Sequence, residues 1–141
     1  MYDTISRNML VPLLLRLGLA VLFIHSGLIK IVGPGTHGGA SWLVDDPNIV
    51  KPLAAPIQIV VAWAELIGGI GLGLGLMTRV AAAGIALIMA GTIYWYTGAQ
   101  GLKSGYDYNL AVIVMCLALL ISGGGTLAVD RLIRIKRRIL T

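Results

Sequence analysis

Glu65 is the only charge in AAPIQIVVAWAELIGGIGLGLGLM, residues 54–77. A run of that length crosses a bilayer as a helix, for which about 20 apolar residues suffice. A carboxylate at that depth costs roughly 2.5–3.5 kcal/mol on insertion scales. It must therefore face protein or a water-filled cavity, and it must hold a partner or a proton. That is the chemistry of proton transfer or of hydrogen bonding to a polar ligand, and equally of a pair that joins two helices. Gly68 and Gly69 follow at i+3 and i+4, on the same helical face. Glycine there admits a close neighbour, either another helix or a flat ring.

A second polar set lies in the apolar run 9–32: Arg16, His25 and Lys30. Histidine suits proton exchange or hydrogen bonding, and it can also hold two helices in register. Lys30 stands near the end of its run, as an interface anchor or at the mouth of a site. Counted from the outer face, Lys30 lies about 4 Å deep, His25 about 12 Å and Glu65 about 16 Å. The matching depths of His25 and Glu65 predict a pair across the first two helices. Azimuth adds a constraint, because each residue turns the helix by about 100°. Arg16, Gly27 and Lys30 share one face, and Gly18, Leu22 and His25 share the opposite one. The first helix must then meet polar groups on two sides.

The elements that position these residues follow from composition. The chain is 57% hydrophobic and 12% charged, which places it among integral membrane proteins. Its length fits one domain, residues 1–141, with no room for a soluble catalytic domain. Four spans are expected, at residues 9–32, 54–77, 80–97 and 109–129. The first is too long for a signal peptide and carries Arg16 inside its apolar run, so it is expected to be retained. GPGTHGG (33–39) ends it and opens the longest loop, 33–53. Thr78 and Arg79 are expected to turn at a membrane face. The third span is rich in small residues and closes on Tyr94, Trp95 and Tyr96, an interfacial belt. The fourth is uncharged, and Asp130 ends it. The expected fold is all-α: a four-helix transmembrane bundle running up-down-up-down.

Charge sets the expected orientation. Arg7, Arg79 and a tail of five basic residues (Arg131, Arg134, Lys136, Arg137, Arg138) lie on one side. Lys30, Lys51 and Lys103 lie on the other. The first side is then cytoplasmic, with both termini inside. The formal net charge of +5 resides largely in that tail, which suits a lipid surface and not a nucleic-acid duplex. Cys116 is the only cysteine, so no intrachain disulfide, CxxC motif or cysteine-rich metal site can form. Its place on one face of the fourth span, with Asn109 and Gly123, suits packing. Phosphate loops, Ser/His/Asp triads and metal clusters are absent from the sequence, which removes support for hydrolase and transferase activities.

Four stretches carry a resemblance: RLGLAVLFIHSGLIKIVG (16–33), AELIGGIGLGLGLMTR (64–79), GYDYNL (105–110) and the glycine-rich end at 123–130. In this order they resemble the DoxX family of small four-helix membrane proteins. The third departs from the family pattern, which usually has Glu where this chain has Asp107. The resemblance implies a bacterial or archaeal inner-membrane subunit. The family is named for the small subunits of a thiosulfate:quinone oxidoreductase linked to a terminal oxidase. It therefore implies redox chemistry, a quinone as the associated cofactor, and partner membrane subunits.

Two functional expectations follow. In the first, a quinone sits between the first two helices. His25 and Glu65 exchange protons or hydrogen bonds with its oxygens, Gly68 and Gly69 admit the ring, and Lys30 stands at the mouth. A partner protein must supply the electrons. In the second, the chain is a structural accessory subunit of a larger membrane assembly. Arg16, Arg79, Asp107 and Asn109 are expected to serve structure in either case, through pairing or topology.

Overall fold

The apolar runs form helices in the computed structural model, which describes residues 9–34, 55–97, 106–125 and 128–130. Helix α1 is Val11–Val32, α2 is Ala55–Leu74, α3 is Thr78–Thr92 and α4 is Asp107–Ser122. They form a four-helix bundle. Three of them are long and apolar enough to cross a membrane, α3 counting its continuation to Trp95. Helix α4 is shorter, at 16 residues. Arg7, the 35–54 segment with Lys51, the 98–105 segment with Lys103 and the basic tail lie outside the described residues.

Local chemistry explains most boundaries. Pro12 sits in the first turn of α1, where the amide it lacks would have had no intrahelical partner. Helix α2 ends at Leu74, short of the expected Met77. Gly75 takes a left-handed φ of +69°, its N–H donates to Leu72 O at 3.1 Å, and Leu76 N–H donates to Gly71 O at 2.9 Å. This is a Schellman cap, which glycine forms without Cβ strain. The turn is therefore 75–77, and Thr78 and Arg79 open α3 instead of forming the turn themselves. Met77 joins the two helices in a left-handed conformation, φ 48°. Helix α3 runs on as a π-helical turn, Ile93–Thr97. There Tyr94 and Trp95 meet edge to face, with ring centroids 4.8 Å apart. Both are exposed, as an interfacial belt requires.

The fourth helix also ends early, at Ser122 and not at Val129. Gly123 leaves the helix at φ +72°, and Gly125 is left-handed as well. The chain then folds back onto the α2–α3 turn. Ala128 is buried, and Asp130 N–H donates to Gly75 O at 3.1 Å. A Cβ on Gly124 would lie 2.5 Å from Thr78 Oγ1, so that approach also depends on glycine.

Helices α1 and α2 make the most extensive contact, and α3 packs mainly on α4. The bundle centre holds Leu19, Phe23, Leu72, Ile85, Val112, Cys116 and Leu119. Most large apolar side chains on the outer faces are exposed, as lipid-facing residues should be. Cys116 lies in the core as a free thiol, in the packing position expected of it.

Candidate functional site

The α1–α2 contact is close because two glycines meet it. A Cβ on Gly27 would lie 2.7 Å from Leu66 N, and one on Gly69 would lie 2.8 Å from Ile24 N. Both clashes are with backbone, so an added methyl would push the helices apart. Gly69 therefore serves helix contact, and its space is filled by α1. Gly68 faces Ile85 of α3, whose side chain would lie 3.3 Å from an added Cβ. The α1–α2 crossing is shut at both Gly27 and Gly69.

Beside this crossing lies Glu65, 1% exposed. Lys30 Nζ donates to its Oε1 at 2.7 Å and to its Oε2 at 2.6 Å. Ser26 Oγ donates to Oε2 at 2.9 Å. Both carboxylate oxygens are thus engaged from α1, by residues one helical turn apart. Such a pair holds only because both charges are met. Leaving one of them buried alone typically costs about 3–5 kcal/mol. The expected His25–Glu65 pair does not form. His25 is exposed on the far side of α1, and Ser26 and Lys30 take its place. Depth along the helix axis matched His25 to Glu65, but azimuth and side-chain reach decided the outcome. The four-carbon stem of lysine brings Lys30 inward from its shallower Cα.

Two neighbours escaped sequence reasoning. Tyr108, half-exposed in the first turn of α4, lies within electrostatic reach of Glu65. Gln58 is buried one heptad before Glu65 on the same face of α2. Ser26 could have been found, since it lies at i−4 to Lys30. Tyr108 could not, because no local spacing relates it to α1 or α2. The cluster reaches the surface at Lys30, whose side chain is 19% exposed.

The other expected polar residues fall elsewhere. Arg16 is buried at 2% exposure, and its Nε and Nη1 have no hydrogen-bond partner. It packs against Gly75 and feels the charge of Asp130. The Asp130 carboxylate accepts from Met77 N–H at 2.6 Å and from Thr78 N–H at 2.9 Å, capping the start of α3. Asp130, expected to end the fourth span and part of the glycine-rich stretch of the resemblance, caps α3 and is a central member of this second cluster. Arg79 is exposed, with its guanidinium beside Gly123. Asp107 is exposed and accepts from Tyr108 N–H at 2.8 Å, while Asn109 is buried. Among the described residues, no His/Cys/Asp/Glu group could hold a metal ion.

The sequence profile of the DoxX family matches residues 11–98, which covers α1, α2 and α3 with Arg16, Ser26, Lys30 and Glu65. The GYDYNL stretch and the glycine-rich end lie beyond the matched residues. No curated protein and no solved structure matches the chain. With four apolar helices bundled around polar residues of α1 and α2, and with the profile covering more than half its length, the chain belongs to the DoxX family.

Proposed function

We propose that this protein is the membrane subunit of a redox-linked assembly, and that its Lys30–Glu65–Ser26 cluster binds the polar head of a quinone at the rim of α1, α2 and α4. The observation that carries this reading is an asymmetry. Glu65 is sealed, while the Lys30 that holds it keeps one side at the surface, and the half-exposed Tyr108 lies within electrostatic reach of Glu65. Lysine and tyrosine are hydrogen-bond donors, which is what quinone oxygens require. Glu65 fixes the Lys30 ammonium in place, and Ser26 fixes Glu65. A bound quinone supplies electron-carrying capacity. The chain's own residues bind and orient its head, and a partner protein delivers the electrons.

Lipid extracts of the purified protein should contain quinone. Lys30→Gln and Tyr108→Phe should each lower the retained quinone several-fold, with Tyr108→Phe leaving thermal stability unchanged. Extracts of the unaltered protein without quinone would sink the proposal. The closed α1–α2 crossing and the fully engaged Glu65 favour a second reading, the structural accessory subunit. In that case Lys30→Gln would alter stability alone.

The proposal extends to placement. Positive charge on the side of Arg79 supports an inner membrane with both termini cytoplasmic. A cysteine replacing Arg79, with Cys116→Ala removing the native thiol, should react with a membrane-impermeant maleimide only after permeabilisation. Labelling in intact cells would reverse the orientation.

A further inference from the structure

Asp130 does not exhaust the hydrogen-bonding groups gathered where α1 and α3 begin. Its two oxygens take the N–H groups of Met77 and Thr78. Arg16 Nε and Nη1 and Thr78 Oγ1 remain without a hydrogen-bond partner, although both residues are buried. A buried polar group left unmet lowers stability, and each one in a folded protein calls for a reason. These lie around one short stretch of chain, residues 128–130. A Cβ on Gly75 would meet Arg16 Nη1 and Ala128. One on Gly124 would meet Thr78 Oγ1 at 2.5 Å and Ala128 Cβ at 2.6 Å.

We propose that the start of α3, with Arg16 and Thr78, is a phosphate-binding site. Asp130 fills it in this structure as the chain's own anion, and a phosphate group at this membrane face takes its place. Three features select that chemistry. The first is the start of α3, because a helix N-terminus turns its free amides and the positive end of its dipole toward an anion. The second is the guanidinium of Arg16, a group suited to phosphate oxygens. The third is the number of donors. A carboxylate has two oxygens, and those of Asp130 already serve two amides. A phosphate group offers three or four, enough to serve the amides, Arg16 and Thr78 together. Charge agrees with this reading. Exposed Arg79, with its guanidinium beside Gly123, adds a second cation at this end of the bundle. Five further basic residues follow Asp130 in the sequence, at 131–138. Room comes from the exchange itself, since withdrawal of 128–130 uncovers Gly75 and Gly124, which have no side chains to fill it. Arg16 stands about 8 Å along α1 from Val11, close enough for its long side chain to meet a headgroup phosphate as well as a free one. The site is independent of the quinone reading, since it lies toward the other end of α1 from Lys30.

Thermal unfolding in a phosphate-free detergent tests the proposal. Asp130→Ala vacates the site. Inorganic phosphate or dioleoyl phosphatidylglycerol should then raise its unfolding temperature by several degrees over potassium chloride of equal ionic strength. Arg16→Met/Asp130→Ala lacks the cation and should gain nothing, a comparison that also removes the general stabilising effect of phosphate on folded proteins. If Asp130→Ala does not fold, Asp130→Asn carries the same comparison, with Arg16→Met added to it as the control. The unaltered protein should bind the same probe several-fold more weakly than the Asp130 variant, because Asp130 competes. A response to the lipid alone assigns a headgroup, and a response to inorganic phosphate assigns a free anion; either supports the site. Equal gains with and without Arg16, or no gain over potassium chloride in either Asp130 variant, would overturn it.

Discussion

Lys30→Met should destabilise the protein more than Glu65→Leu, and the double substitution should recover most of the loss. The asymmetry comes from where each partner can go. Glu65 is 1% exposed, with a single remaining donor, Ser26, once Lys30 is removed. Its charge would then be buried with one hydrogen bond, the situation that typically costs about 3–5 kcal/mol. Lys30 is already 19% exposed and stands two residues before the end of α1. After Glu65→Leu its stem can keep the ammonium at the interface, so the loss should be smaller, about 1–2 kcal/mol. In the double variant neither charge remains buried, and the apolar side chains suit the surrounding helices. Reversible unfolding in mixed micelles, with a double-mutant cycle, measures this. A cycle in which the two single losses simply add would mean that the pair contributes nothing.

The same cluster shows how far the sequence could be read. Helix number and the approximate spans follow from hydropathy, because a bilayer leaves the backbone few alternatives. The two faces of α1 were also legible: Arg16 and Gly27 are buried and Lys30 faces inward, while Gly18, Leu22 and His25 are exposed. That division is a matter of helical geometry alone. The partner of Glu65 was not legible from depth, because axial position ignores the length of a lysine side chain. The ends of α2 and α4 were missed for a different reason. Hydropathy continues smoothly through Gly75 and Gly123, while the backbone does not, since left-handed glycines terminate both helices. The α4–α1 relation that brings Tyr108 near Glu65 is tertiary and has no sequence period. The return of 128–130 onto the α2–α3 turn is tertiary in the same way, so Asp130 looked like the end of a span when it is a cap for another helix.

Asp130→Ala should therefore be among the most damaging single changes in the chain. Its two carboxylate oxygens satisfy the Met77 and Thr78 amides at the start of α3. Those groups have no intrahelical acceptor, and the loss of such a cap costs about 0.5–2 kcal/mol. Asp130 is also the counter-charge of Arg16, whose guanidinium is 2% exposed with two nitrogens lacking hydrogen bonds. Without Asp130 that buried cation loses an opposing charge, which lowers stability beyond the loss of the cap. The two losses share one carboxylate but act on different groups, so substitutions can separate them. Asp130→Asn keeps an acceptor for the α3 amides and loses the charge. Adding Arg16→Met to Asp130→Ala removes the orphaned cation and leaves only the missing cap. Thermal unfolding in detergent should rank Asp130→Ala lowest, with Asp130→Asn above it and Arg16→Met/Asp130→Ala recovering most of the stability. If the added Arg16→Met brought no recovery, Asp130 would act through the cap alone, and the buried Arg16 would have to be balanced by another group.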